Sequence, residues 1–209
     1  VFQKESEGWS TKPGSGGLVT ALGPVLRDRG GLWIGWLGIP NEELPEQPYV
    51  EELLAGTSTD TGYELKPINL DREEIENYYY GFSNEILWPL FHDLPSLCNF
   101  DPKYWSAYET VNHKFARLIA EQTTEDDYIW VQDYHLLLVA DELKKIGVKR
   151  QMGFFLHIPF PSIDLFLKLP RRFEILEGLL EYDLVGFQTM RDRRNFVQCA
   201  RSLDRTIQT

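Results

Sequence analysis

Residues 128–189 read YIWVQDYHLLLVADELKKIGVKRQMGFFLHIPFPSIDLFLKLPRRFEILEGLLEYDLVGFQT, and their rhythm decides the fold. Short apolar runs at Tyr128–Gln132, Gln151–Leu156 and Asp183–Phe187 alternate with helical patterns at Leu136–Ile146, Arg171–Glu181 and Arg191–Leu203. Gly147 closes the first helix. The runs are apolar on both parities, which predicts parallel strands covered on both faces. Strand, helix, strand repetition predicts an α/β fold with a Rossmann-like, doubly wound parallel sheet.

Upstream, Val1–Pro13 alternates and contains Glu7-Gly8, which suits a short hairpin. Gly14-Ser15-Gly16-Gly17 is a turn before a helix carrying Leu18, Val19, Leu22, Val25 and Leu26, ended by Gly30-Gly31. Leu32–Leu37 reads as a strand. Pro40–Gly62, rich in Pro, Glu, Gly and Thr, reads as a surface loop with one helical turn at Val50–Leu54. Tyr63–Leu70 reads as a strand, with Pro67 marking an edge or a bulge. Asp71 caps a helix through Tyr80, and a second helical piece runs from Ser83 to Phe91, interrupted by Pro89. Asp101 is an N-cap with Pro102 at the first helical position. Trp105, Tyr108, Val111, Phe115, Leu118 and Ile119 form that helix's buried stripe.

The 209 residues carry 21 basic against 32 acidic side chains, a net charge of −11. That balance lacks the basic footprint of a nucleic-acid binder and disfavours an anionic membrane surface. Leu136–Ala140, the longest wholly apolar stretch, is far too short to span a bilayer. Cys98 and Cys199 have no CxxC spacing and read as reduced, buried thiols of a cytoplasmic protein. Starting at Val1 without Met, the sequence reads as a piece of a longer chain.

In an open α/β sheet, ligands bind outside the carboxyl ends of the strands. Three successive strands end there in Asp133-Tyr134-His135, His157-Ile158-Pro159-Phe160-Pro161 and Gln188-Thr189, groups able to hydrogen-bond a polyol. Asp133 suits a sugar hydroxyl or a helix cap. His157 suits donation to a hydroxyl or to developing charge, or a satisfied buried position. Gly16-Gly17 before a helix suits either a phosphate or a plain turn. Tyr78, Tyr79, Tyr80, Trp88, Trp33 and Trp36 offer sugar platforms or core packing. Asp133, His135 and His157 are metal-ligand types but lack HExxH or a close His pair, so no metal is expected.

Several strings together resemble the trehalose-6-phosphate synthases, glycosyltransferase family 20. They are KPGSGGLVTAL from Lys12, GLWIGW from Gly31, Tyr79 with Phe82-Ser83-Asn84, LWPLFH from Leu87, VQDYHL from Val131, GFFLHIPFP from Gly153 and DLVGFQT from Asp183. They cover nearly the whole chain, in family order. The resemblance implies a retaining transferase with two Rossmann domains (GT-B), of which residues 1–209 are the N-terminal, acceptor-side half. It implies transfer of glucose from UDP-glucose to glucose 6-phosphate, giving α,α-trehalose 6-phosphate, with neither metal nor cofactor. By motif, Gly17 approaches the donor diphosphate, and Tyr79, Trp88 and Asp133 line the glucose 6-phosphate site, joined by Trp36. His157 reaches the donor glucose, and His157 and Asp133 are the catalytic candidates. Trp33, Tyr78 and Tyr80 are left to the core. The family's first strand, ending in Ser-Asn-Arg, and its nucleotide-sugar domain are absent from this sequence, so the piece alone is expected to be nearly inactive. Two rivals are a sister synthase using glycerol 3-phosphate and a non-catalytic, sugar-phosphate-binding regulator. Homo-oligomerisation is left open.

Overall fold

The computed structural model describes residues 1–5, 8–12 and 17–203. Backbone contacts divide the chain into two compact units, Val1–Arg72 and Glu73–Thr209.

In the first unit, β1 (Phe2–Glu5) and β2 (Gly8–Thr11) pair antiparallel as the expected hairpin. Helix α1 (Gly17–Arg29) ends at Gly30 and Gly31, whose φ values of 72° and 153° suit glycine. Strand β3 (Leu32–Trp36) follows. The stretch expected to be a loop contains instead a 15-residue helix, α2 (Gln47–Thr61). Pro48 is tolerated in its first turn, and Gly62, at φ 78°, donates its N–H to Ser58 O. Threonines suggested a loop here because their hydroxyls compete for backbone groups. In α2 those hydroxyls donate to carbonyls one turn back: Thr57 to Leu53 O, Thr59 to Ala55 O and Thr61 to Thr57 O. Val50 is buried with Phe2 and Leu37, and Leu53 and Leu54 pack against them. Strand β4 (Glu64–Ile68) then pairs parallel to β3, with Pro67 opposite Gly35.

From the last residue of the first unit, α3 (Arg72–Glu74) leads into a π-helical stretch, Ile75–Leu87, and then α4 (Trp88–Phe91), both in the second unit. Two helical pieces were expected. The chain is helical throughout because Pro89 sits in the first turn of α4, where a missing N–H costs least. Helix α5 (Lys103–Gln122) starts one residue later than expected, with Asp101 Oδ1 accepting the Lys103 N–H. Its stripe is buried as expected except for Leu118, which is half-exposed. Phe82 packs on Tyr108 at 4.5 Å and on Trp105 at 5.1 Å between ring centroids.

The decisive segment delivers β5 (Ile129–Gln132), α6 (Val139–Lys145), β6 (Met152–Leu156), α7 (Ile163–Phe166), α8 (Arg172–Leu180), β7 (Leu184–Phe187) and α9 (Met190–Leu203). The three strands are parallel, in the order β5-β6-β7. The class is therefore α/β with parallel sheets, as the periodicity predicts. Coverage on both faces holds for β6 alone. Trp130 is 49% and Leu184 65% exposed. Both stand in the row that pairs them with Gly153, and a glycine adds no side chain to cover them. The opposite face is the core, with Val131, Phe154 and Leu156 buried.

Cys199 is buried, and burial pushes its thiol up to about 11. Cys98 is only half-buried, its thiol 3.8 Å from Ile86 O, because it lies just past a short turn rather than inside a helix. Among the described residues no helix is long and apolar enough to cross a membrane, and no group of three or more His, Cys, Asp or Glu side chains could hold a metal.

Candidate active site

The turn after β5 is held from below. Two polar residues of α5, Tyr108 and Asn112, are fully buried. The Tyr108 hydroxyl donates to Tyr134 O at 2.7 Å and accepts the Leu137 N–H at 3.2 Å. Asn112 donates to His135 O and accepts the Leu138 N–H, both at 3.1 Å. Tyr182 donates to Leu136 O at 2.9 Å. A helix would leave these backbone groups to itself. Here side chains satisfy them, so residues 133–138 keep a fixed path with a single 3₁₀ turn, Tyr134–Leu136, and the helix expected from Leu136 begins only at Val139.

Asp133 begins that path at φ 72° and ψ 167°, a region that only glycine occupies at low cost. Its N–H donates to Phe155 O at 2.9 Å, extending the β5–β6 pairing by one residue. Its Oδ1 accepts the Tyr134 N–H at 2.9 Å and the His157 N–H at 3.2 Å. Among the described residues Oδ2 accepts nothing further. Burial raises the Asp133 carboxyl above the usual carboxylate range, partly offset by those two N–H donors and by the neighbouring His157 and His92.

His157 leaves β6 one strand away. Its carbonyl accepts from Gln188 Nε2 at 2.7 Å, and its ring Nε2 lies 2.9 Å from Gln132 Oε1. All three strand ends thus meet at this histidine. The Pro-Phe-Pro turn beyond it is fastened to α9. Asp192, 2% exposed, accepts the Phe160 N–H at 3.2 Å, and Asn195 donates to Phe160 O at 2.9 Å. Thr189 accepts the Asp192 N–H through its hydroxyl, capping the start of α9, and donates that hydroxyl to the Asp192 carboxylate.

Tyr79 stacks on His135, centroids 5.2 Å apart and planes at 11°. His135 also lies 4.0 Å from the Tyr134 ring, and its Nε2 is buried without a partner. Desolvation lowers its pKa to about 4, so the imidazole is neutral. The Tyr134 hydroxyl donates to Asn84 Oδ1 at 2.8 Å. Trp88, 40% exposed, stacks on His92 at 4.1 Å, with His92 Nδ1 2.7 Å from Trp88 O.

The structure therefore brings Asp133 and His157 into direct contact and builds aromatic faces at Tyr79 and Trp88. Tyr78 is buried, as expected. Tyr80, expected in the core, is 49% exposed, because the π-helical stretch buries Tyr78 and Phe82 on one side and turns Tyr80 outward. Trp36 and Gly17 belong to the first unit. Trp36 ends β3 and donates its indole N–H to Ile39 O at 2.9 Å. Trp33 is half-buried and stacks on Tyr63. Gly17 is the first residue of α1. The rest of the glycine turn, Gly14-Ser15-Gly16, lies outside the described residues. Sequence reasoning gave no individual role to His92, Gln132, Asn84 or Asn112. Strand parity could have found Gln132. It pairs with Phe155, which places it diagonally across the same face from His157.

Parallel strands here converge on a polar clamp with aromatic flanks, within an α/β fold. The comparisons agree. The family model of glycosyltransferase family 20 matches residues 1–208, and the chain belongs to that family. It is 45% identical over 194 residues to a trehalose-6-phosphate synthase of Mycobacterium sp. (strain JLS), covering 93% of this chain and 38% of that one. It is 43% identical over 195 residues to that of Mycolicibacterium smegmatis, covering 93% and 36%. A solved Escherichia coli structure, described as trehalose-6-phosphate bound with UDP-2-fluoro glucose, matches with TM-score 0.79 and 38% identity, covering 93% of this chain and 42% of that one. An α,α-trehalose-phosphate synthase (UDP-forming) of Burkholderia xenovorans, in complex with glucose-6-phosphate, matches with TM-score 0.78 and 34% identity, covering 93% and 42%. The chain spans about two fifths of the length of these relatives.

Proposed function

We propose that this chain is the acceptor-side half of a retaining glucosyltransferase that moves glucose from UDP-glucose to glucose 6-phosphate, forming α,α-trehalose 6-phosphate. One observation carries the reading. Asp133 and His157, from adjacent strand ends, are locked to each other through Asp133 Oδ1, which leaves Asp133 Oδ2 and His157 Nδ1 for substrate hydroxyls. Asp133 accepts from the acceptor sugar, between the Tyr79 and Trp88 faces. His157 contacts the donor glucose. By the family motif, Gly17, at the start of α1, is assigned to the donor diphosphate, and Trp36 to the acceptor sugar.

No side chain in this arrangement is a covalent nucleophile. The clamp's contribution is to hold two sugars in register and to place dipoles against developing charge. The leaving diphosphate helps to deprotonate the acceptor hydroxyl as an oxocarbenium-like state forms. The protein is expected to act in the cytoplasm, as a piece of a longer chain.

The test is UDP release from UDP-glucose by the full-length protein, with glucose 6-phosphate, glycerol 3-phosphate or no acceptor. Release with glucose 6-phosphate alone, lost in Asp133→Ala and His157→Ala, is the expected result. Release with glycerol 3-phosphate alone would move the acceptor assignment to the sister activity. Silence from a folded protein would favour the regulatory reading.

A further inference from the structure

His157 is held at its backbone by two hydrogen bonds, from its N–H to Asp133 Oδ1 and from Gln188 Nε2 to its carbonyl. Those bonds fix where the residue sits but not how its ring is turned. The ring has one polar contact among the described residues, Nε2 to Gln132 Oε1 at 2.9 Å. Phe155 packs beside it, at 4.8 Å and 52°, which limits tilt without choosing between the ring's nitrogens. Orientation therefore depends on Gln132.

Gln132 is itself incomplete. It is half-buried at the last position of β5, and its carboxamide Nε2 is buried with no partner. Turning the carboxamide over does not repair this. Nε2 would then face the imidazole, and Oε1 would be the unmet atom. A carboxamide has both a donor and an acceptor end, and one histidine nitrogen meets only one of them. The unmet end sits beside the Asp133–His157 clamp. Ser83, His135, Arg150 and Arg172 also hold unmet polar atoms, but none of them touches that pair by a side-chain hydrogen bond. A sugar hydroxyl, which both donates and accepts, meets either end.

We propose that Gln132 is a positioning residue of the sugar subsite: it sets the His157 ring through Nε2 and turns the other end of its carboxamide to a hydroxyl of the sugar that His157 contacts. With Oε1 facing the ring, His157 carries its proton on Nε2 and presents Nδ1 as an acceptor. The inference rests on the reading of His157 as a substrate contact and extends it to a residue whose own side chain had been given no role.

The experiment uses the full-length protein with Gln132→Met, which keeps the shape and removes both polar ends, and Gln132→Glu, which keeps an acceptor for Nε2 and removes the donor. Two quantities are followed: UDP release kinetics and the rate at which diethyl pyrocarbonate modifies His157. The second is read by peptide mass spectrometry against His113 as an internal reference. In Gln132→Met, His157 should be modified roughly tenfold faster relative to His113, and kcat should fall by about tenfold or more, since misplacing a reacting group by about 1 Å costs on the order of 100-fold. Gln132→Glu should keep modification slow while raising KM for UDP-glucose. UDP-glucose should protect His157 in the unsubstituted protein. Unchanged modification and kinetics in Gln132→Met would overturn the proposal. So would equal acceleration in both variants accompanied by an equal drop in melting temperature, which is the mark of packing alone. Full turnover in His157→Ala would overturn the reading beneath it, while the modification rates would still report whether Gln132 anchors the ring.

Discussion

Replacing Asp133 by glycine and, separately, by alanine isolates the strain in its backbone. At φ 72° and ψ 167° a side chain with a Cβ is held in a conformation costing about 1–3 kcal/mol. Both variants lose the same two hydrogen bonds, from the Tyr134 and His157 N–H groups, so that loss cancels in the comparison. Alanine keeps the strain and glycine releases it. Against this, glycine gains about 0.4–1 kcal/mol of conformational freedom in the unfolded chain. The net expectation is that Asp133→Gly is more stable than Asp133→Ala by about 0.5–2 kcal/mol, the order usually seen for Gly and Ala being reversed. Urea titrations followed by circular dichroism, with equal slopes for the two variants, read the difference directly. Alanine equal to glycine, or more stable, would refute the reasoning and mean that the turn relaxes freely once the carboxylate is gone.

Two further outcomes follow from the same region. His135 is held neutral with its pKa at about 4 against 6.5 for the free side chain. The unfolded chain therefore takes up the proton first. This histidine leaves stability untouched above about pH 6.5 and removes it as the pH falls towards 4. His135→Phe, which keeps a ring against Tyr79, should flatten that acid limb in urea midpoints measured at about pH 7 and about pH 5. An unchanged slope would assign the acid sensitivity to other groups. Thr189→Ala should cost about 1 kcal/mol by removing the cap of α9. It should also loosen the Phe160 turn that Asp192 holds, seen as faster amide exchange at Phe160.

What the sequence made legible was whatever depends on period and on strand ends. The runs at Tyr128, Gln151 and Asp183 gave the parallel strands, and asking what each run delivers led to Asp133 and His157. Composition misled at Pro40–Gly62, where threonines bond back to their own helix and Gly62 is a cap rather than a break. Periodicity also had no means of announcing Tyr108 as more than a stripe residue, or Asn112 as buried at all. Their role is to satisfy a turn 26 residues downstream, a long-range need that no local pattern records. His92 sits beside Trp88 by the local i, i+4 spacing across α4, but its nearness to Asp133 is a long-range fact that no local pattern records.

The π-helical winding bears on how the family can change over time. A π-helix carries more residues per turn than the 3.6 of an α-helix, so Ile75–Leu87 holds surplus residues for its length. A deletion between Tyr79 and Trp88 that the winding does not absorb would rotate everything after it by roughly 100° about the axis, since that is the step per residue. Tyr79 and Trp88 lie on opposite sides of such a deletion, and the two aromatic faces would no longer look the same way. Insertions and deletions between them should therefore be selected against even where single substitutions are tolerated.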